Sequence, residues 1–515
     1  MSADRPPIRR LTVRVIREPA YVPLTPRKRE ICLDFGIPPR EDPRTIVENA
    51  KIELSPGSIL FVGGPSGSGK SSVLAAMTEE LGNAVAVGKG RFPAARPIVD
   101  AIAPTKPLAA ALEILTACGL GEPRLWVRRF DDLSDGERFR AGLARAIGAS
   151  LGSAEATPII CDEFTAILHR RAAKAISYNL RKLVTRNRLV LIVATTHDDV
   201  IEDLQPDQIL QLGGLEPRLT SQPSGKRPIS LRRRVVIERG SVRDYRIFGP
   251  MHYRHRDGLG FVDKVFLLKE AAGGDPLGIL VFAHAPRELA LRNRATEGRF
   301  IRNTRRLNRE LRILRRLVMH PDVRGCGLGH WFVKRTLPQV GVRFIECLAV
   351  MGAVNPVFER GGMTCLGRCP LPPGRLALLG RMREWNLDPF ALDFHRKIQR
   401  FPKVRRLVEK TIEDWVAAMH STARYEVRGR PAPELSRAFR QLIGAPPLYY
   451  LWDRQGAFPR KRSREDEASS PDHDPRSHSH RDNLPTERNQ DSTRRHHPDG
   501  PGVSGPSRRQ RSNRD

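Results

Sequence analysis

The sequence predicts an α/β protein of more than one domain, on three observations. Apolar runs rich in β-branched residues stand at Ile59–Val62, Thr157–Cys161 and Leu189–Thr195, a length suited to buried strands. Helical patterns lie between them, as in Ser72–Met77 and the Ala-rich Phe139–Ser150. Twice, at residues 59–77 and 313–340, a strand runs through a glycine-rich loop into a helix.

Composition sets the frame. At 515 residues the chain has room for two or three cores. A net charge of +31 makes nucleic acid a candidate partner, although arginine outnumbers lysine so strongly that genomic base composition can contribute. The seven cysteines are odd in number and scattered, which suits reduced thiols rather than a disulfide framework. Cys365 and Cys369 lack a second ligand pair for zinc. No apolar run reaches the ~20 residues of a membrane span, and Met1–Arg10 lacks a signal-peptide core. A cytoplasmic protein is the expectation.

Taken in order, residues 1–27 are rich in Pro and Arg and read as an irregular basic arm. Arg29–Phe35 reads as a strand and Gly36–Pro43 as a loop; Tyr21 and Phe35 read as packing residues, with stacking on adenine as the alternative. Gly64-Pro65-Ser66-Gly67-Ser68-Gly69-Lys70-Ser71 fits G-x-x-x-x-G-K-[ST], and Ser72 continues into the helix. Backbone amides of such a loop and the helix N-terminus hold phosphates, here those of ATP. Lys70 would reach the outer phosphates and the Ser71 hydroxyl would ligate Mg²⁺.

Three further motifs follow: Leu133-Ser134-Asp135-Gly136-Glu137 ahead of a helix, Asp162-Glu163 ending a strand, and His197 ending the next. Together with the P-loop, this order resembles the ATPase domain of the ABC superfamily. That resemblance covers residues 28–213 and implies a set of roles. Asp162 would hold Mg²⁺ through water, Glu163 would polarise the attacking water, and His197 would contact the γ-phosphate. Ser134 and Gly136 would reach the γ-phosphate of a partner copy, so a homodimer would form on ATP binding. Asp135 and Glu137 depart from the usual L-S-G-G-Q. The segment between Ser71 and Leu133 contains no glutamine, where transporters carry one that couples to a membrane subunit. No membrane subunit is therefore expected.

Residues 214–230, rich in Gly, Pro and Ser, read as a linker. Strands are expected at 231–238, 260–270 and 276–286, and at Ile313–Val318 running into Arg324-Gly325-Cys326-Gly327-Leu328-Gly329. The last segment resembles the acetyl-coenzyme A loop, [QR]-x-x-G-x-[GA], of the GNAT acyltransferases. Asn355-Pro-Val-Phe358-Glu-Arg-Gly361-Gly-Met363 resembles a later segment of that family. The resemblance covers residues 231–374. It implies acetyl-CoA binding by Val318, Arg324, Gly325, Cys326, Gly327, Leu328, Gly329 and Asn355. Phe358 stands where many members have a proton-donating tyrosine, so another acid or solvent must serve; Glu346, Cys347 and His320 are candidates, each with an ordinary structural role as the alternative.

Residues 375–455 read as a basic helical extension with Trp385, Phe394, Phe401 and Trp415 as core anchors, and 456–515 as a disordered tail almost without aliphatic residues. The two motif sets in this order resemble a prokaryotic family in which an ABC-type ATPase is fused to a predicted acetyltransferase. That implies ATP-coupled transfer of an acyl group to an amine; the resemblance does not fix the acceptor, and the basic charge balance favours nucleic acid. The alternative is a nucleic-acid-associated ATPase switch whose second domain is not catalytic.

Overall fold

The computed structural model describes residues 9–153, 157–214, 216–222, 231–252, 258–370, 374–418, 427 and 429–456. The disordered tail expected from residue 456 onward lies, beyond that residue, outside them. All described residues fall in one unit, which carries three sheets.

The first sheet corrects the irregular arm. β1 (Arg9–Arg17) pairs antiparallel with β2 (Arg44–Leu54). Leu11, Val13 and Val15 are buried while Thr12, Arg14 and Ile16 are exposed, a period-two pattern that the surrounding prolines and arginines obscure. Between the two strands, α1 (Pro26–Phe35) replaces the strand expected at 29–35. Its start and stop are chemical. Thr25 accepts a bond from the Lys28 amide, Pro26 opens the first turn, and Gly36 closes the helix in the left-handed region. α1 buries no residue, and Tyr21 and Phe35 are 85% and 75% exposed, so neither packs into a core.

A six-stranded sheet follows. β3 (Ile59–Gly63) leads through the P-loop into α2 (Lys70–Leu81), and then comes β4 (Val85–Ala86). After α3 (Leu108–Ala117) and α4 (Asp135–Gly152) come β5 (Ile159–Cys161), α5 (Arg170–Asn187), β6 (Leu191–Thr195) and α6 (Ile201–Leu204). β7 (Gln208–Gln211) and β8 (Arg218–Ser221) complete the sheet, in the order β4-β5-β6-β3-β7-β8. Every pair is parallel except β7/β8. Because β8 lies within 214–230, that stretch is a strand of this sheet in part, not solely a linker. Leu11, Val13, Val47 and Ile52 pack on Val73, Leu74 and Met77 of α2, so the β1–β2 ribbon covers one face of the sheet.

The third sheet has seven strands: β9 (Val235–Gly240), β10 (Val262–Glu270), β11 (Gly278–Ala283), β12 (Leu311–Met319), β13 (Phe344–Ala349), β14 (Thr364–Arg368) and β15 (Leu448–Asp453). Their order is β14-β15-β13-β12-β11-β10-β9. Only β12 and β13 are parallel, and they pair just from Leu311 with Phe344 to Leu314 with Cys347. Beyond that, β12 continues to Met319 and β13 to Ala349 without a shared ladder. The strand β15 corrects the helical reading of 375–455: the aromatic run Leu448-Tyr-Tyr-Leu-Trp452 inserts between β13 and β14. The helices at Arg375–Glu384, Phe394–Arg400, Pro402–Ala418 and Ala432–Ile443 are thus an insertion between two strands. Phe394 and Trp415 are buried in its core, as expected, whereas Trp385 and Phe401 are each 46% exposed.

One buried charge pair stands out. Arg292, on α7 (Ala290–Ala295), and Glu346 of β13 are both fully buried and 3.2 Å apart. Arg292 also donates to the carbonyls of Pro286 and Arg287, and the Tyr449 hydroxyl donates to Glu346 at 3.0 Å. Burial pushes the Glu346 carboxyl up to about 7, with Arg292 opposing the shift. Glu346 is therefore enclosed by its own partners. A raised carboxyl pKa makes the native state bind a proton that the unfolded chain has lost, so stability is greatest below the ordinary carboxylate range and falls as pH climbs to about 7. We expect Glu346→Gln to flatten this slope in denaturant melts between pH 5 and 8. Arg292→Met, which strands the acid, should cost about 3–5 kcal/mol at pH 8.

Candidate functional site

The parallel sheet brings the motif loops to one edge. β6 lies between β3 and β5, with Gly63 opposite Thr195 and Cys161 opposite Val193. The P-loop, Asp162-Glu163 and His197 therefore leave three adjacent strands at their C-terminal ends, where ligands of open parallel sheets bind. The Phe164 amide donates to the Ala194 carbonyl at 2.8 Å and ties two of these exits together.

The P-loop is a cradle that side chains would fill. A Cβ on Gly64 would stand 2.7 Å from the Leu212 carbonyl oxygen, and one on Gly69 2.6 Å from Ile46; both residues have positive φ. Lys70 folds over the loop and donates to the carbonyls of Gly64 (2.8 Å) and Pro65 (2.7 Å), while the buried Ser68 hydroxyl has no partner. Pro65, Ser66, Gly67, Ser71 and Ser72 are exposed. An amide cradle, an orphaned hydroxyl and a lysine held only by loop carbonyls fit a polyphosphate. Asp162 and Ser71 are hard oxygen donors of the kind Mg²⁺ takes.

Glu163 sits at φ 48, a conformation that costs a non-glycine residue about 1–3 kcal/mol and that collects at working sites. Its amide donates to the Asp162 carboxylate at 2.9 Å. The His197 amide donates to the Thr195 hydroxyl at 3.1 Å. Two residues on, Asp199 pairs with Arg170 of α5, whose hydrogen bond holds the carboxyl below its usual range.

Ser134 caps α4 in a reciprocal box: its hydroxyl accepts from the Glu137 amide (3.4 Å), and its own amide donates to the Glu137 carboxylate (2.9 Å). This gives Glu137, a departure from the usual signature, a local role. Gly136 lies in ordinary contact with Leu168, so the first turn stays open.

The second glycine-rich loop is seated on α5. The Asn179 side-chain amide donates to the carbonyls of Ala117 (3.2 Å) and Arg324 (3.3 Å), and a Cβ on Gly325 would meet the Thr116 oxygen at 2.9 Å. Arg324 itself donates to Met319 (3.0 Å) and Met251 (2.9 Å) and lies 4.0 Å from Glu122; burial lowers its pKa. The guanidinium is thus spent on protein partners and does not fit as a free anion ligand. Cys326 is buried against the Ala175 carbonyl, Leu328 and Val318 are in the core, and Asn355 is exposed.

The N-terminus of α8 (Leu328–Thr336) does fit an anion. Gly327 and Gly329 stand near His330, Val357, Met319 and the Lys182 ammonium of α5. His330, 3.2 Å from Arg232, is pushed down to about 4 by burial and then by Arg232, Arg360, Lys182 and Lys334. Those neighbours make the local field positive. Of the other acid candidates, His320 caps its own turn by accepting from the Asp322 amide, and Cys347 is buried with its thiol pushed up. Tyr450, which the helical reading of 375–455 concealed, packs 5.3 Å from Phe358 and donates to Glu359 at 2.9 Å. Lys182 was equally hidden, because nothing in the local sequence shows which sheet its helix also serves.

No family model matches the chain. It is 26% identical over 201 residues to the lipoprotein-releasing system ATP-binding protein LolD 1 of Rhodopirellula baltica, covering 32% of this chain and 84% of that protein. Part of the chain is therefore similar to an ABC-type ATP-binding protein. Among solved structures it aligns with the dimeric bacterial ABC transporter cassette MJ0796 (19% identity, TM-score 0.28, 35% of this chain and 92% of that one). The same cassette in a post-hydrolysis state with ADP and Pi gives 18% identity and a TM-score of 0.30, covering 42% of this chain and 98% of that one.

The capping box yields a prediction. Ser134→Ala should cost about 1 kcal/mol in chemical denaturation. Glu137→Gln, which can still accept from the Ser134 amide, should stay within about 0.5 kcal/mol of the parent.

Proposed function

We propose that the chain is an ABC-type ATPase coupled to a GNAT-like N-acyltransferase that uses acetyl-CoA. The observation that supports the first half is the arrival of Lys70, Asp162-Glu163 and His197 on adjacent exits of one parallel sheet. In this reading the amides of Gly64–Ser72 and Lys70 hold the phosphates of ATP, and Ser71 and Asp162 hold Mg²⁺. The metal, when bound, neutralises phosphate charge. Glu163 orients and deprotonates the attacking water, and His197 contacts the terminal phosphate. Ser134 and Gly136, at the N-terminus of α4, reach the nucleotide of a second copy, so ATP binding closes a homodimer. The similarity of part of the chain to LolD 1, an ATP-binding protein, supports this assignment.

The second half rests on topology. β12 and β13 part after four paired positions, and the loop that follows β12 opens α8 at Leu328 with Gly327 and Gly329 half-buried. Acetyl-CoA would place its phosphates at Gly325–Gly329, near Lys182 and Arg232, and its pantetheine arm along Val318 toward Asn355. Tyr450, beside Phe358, supplies the phenol that residue 358 lacks and donates the proton to the departing thiolate. The acceptor is a macromolecular amine, and the net charge of +31 favours nucleic acid. Coupling would run from His197 through α6, where Glu202 and Asp203 pair with Arg234 at 2.5 and 2.9 Å, into β9 of the third sheet.

A second reading keeps the ATPase and makes the third sheet a non-catalytic module. The engagement of Arg324 by Met319, Met251 and Glu122 favours it. Acyl transfer from acetyl-CoA separates the two: in the module reading coenzyme A binding is lost or merely structural, and failure of acetyl-CoA to bind with ATPase activity intact favours it.

Glu163→Gln should lower ATP turnover by about 10²–10⁴-fold while ATP still binds, and should trap a dimer in sedimentation at saturating ATP. A monomer under those conditions rejects the shared site. Tyr450→Phe should cut kcat for acyl transfer about tenfold or more with KM for acetyl-CoA unchanged; a raised KM with kcat unchanged would make Tyr450 a binding residue.

A further inference from the structure

A cavity of about 550 Å³ opens at the catalytic edge, and no P-loop residue lines it. β4 neighbours β5 with Ala86 opposite Ile160, so the loop after β4 leaves the sheet beside Asp162. That loop, Gly88-Lys89-Gly90-Arg91, has both glycines in the left-handed region, at φ 81 and 105. Lys89 and Arg91 are exposed on it, and their side chains make no hydrogen bond or ion pair among the described residues, while the Lys89 amide donates to the Ala86 carbonyl at 3.3 Å. Arg145 reaches in from the opposite wall, on α4. Its guanidinium lies 5.0 Å over the Phe92 ring, and Phe92 stacks on Phe130 at 4.2 Å. The Nη1 atom of Arg145 is buried without an acceptor. Arg138 is satisfied by Asp135 and the Asp131 carbonyl. Four basic side chains thus face two carboxylates, Asp131 and Asp162, around a space large enough for a small ligand.

We infer that this cavity is a second phosphate site, bound by Lys89, Arg91 and Arg145, and separate from the P-loop. A guanidinium N–H buried without an acceptor, on a plane fixed by an aromatic ring, calls for an anionic oxygen. Flexible cations on a glycine-hinged loop close over it from the open side. The phosphate is either free, as after hydrolysis at the adjoining site, or part of a single-stranded nucleic-acid backbone. Since Asp162 belongs to both spaces, occupancy here alters turnover at the P-loop.

The full-length Glu163→Gln protein, saturated with ATP so that the P-loop is filled, is titrated calorimetrically with inorganic phosphate and separately with a single-stranded dT oligonucleotide. Lys89→Ala and Arg145→Gln should each weaken binding roughly tenfold. Because Lys89 is exposed, its variant decides the matter even where Arg145→Gln fails to fold. Binding of phosphate alone, lost in the variants, assigns the free ion. Tighter, salt-sensitive binding of the oligonucleotide, lost in the variants, assigns the backbone phosphate. No binding of either, or binding unchanged by Lys89→Ala, overturns the proposal. Failure of ATP to bind would count against the P-loop reading alone, and the titration would then be run on Lys70→Ala.

Discussion

The constraint on which the rest of the structure depends is the double burial of α5. Of its residues, Ala173, Ile176, Leu180, Leu183 and Val184 belong to the core under the parallel sheet, while Ala175 and Tyr178 belong to the core of the seven-stranded one. A helix with one apolar stripe can serve one sheet; this helix is apolar over enough of its circumference to serve two. Two polar residues on it tie neighbouring segments together. Arg181 bonds Asp207, the Gly57 carbonyl and Thr185, and Asn179 joins Ala117 to Arg324. Shifting α5 would break contacts on both sides at once.

That geometry gives the two glycine-rich loops different characters. The P-loop faces solvent at Pro65–Gly67 and needs Gly64 and Gly69 because the Leu212 carbonyl and Ile46 leave no room for a Cβ there. The loop at 324–329 needs Gly325 for a different reason, close approach of α3 and Asn179. Similar sequence patterns thus serve an open cradle in one case and a docking surface in the other. Energetically the contrast is sharp: an exposed amide cradle waits for a ligand, while Arg324 already has its acceptors and would lose them on turning outward.

Strain and charge collect where the chemistry is expected. Glu163 occupies the left-handed region beside Asp162, and the segment after His197 is tied by Asp199 to α5 and by Glu202 and Asp203 to Arg234. Burial raises the Asp203 carboxyl, with Arg234 opposing it, so this contact is held by an ion pair in partly dry surroundings. The segment after His197 is thus joined through Arg234 to the start of β9, the first strand of the seven-stranded sheet.

Local sequence by itself determined the strand–loop–helix of the P-loop, the acid pair after β5, the histidine after β6 and the cap at Ser134, because each is set by residues within a turn of one another. It also held the start and stop of α1, Thr25-Pro26 and Gly36, although the apolar residues of 29–35 were read as a strand; propensity alone could not tell an exposed helix from a buried strand. Tertiary structure alone decided the rest. Residues 448–453 become an inner strand only because β13 and β14 offer free edges on either side, across an insertion of four helices. Glu346 meets Arg292, Tyr450 meets Phe358, and Lys182 meets the N-terminus of α8 across separations that no local pattern encodes. The fate of Arg324 follows the same rule, since its motif specifies a backbone turn and the packing of α5 specifies where the side chain finds its acceptors.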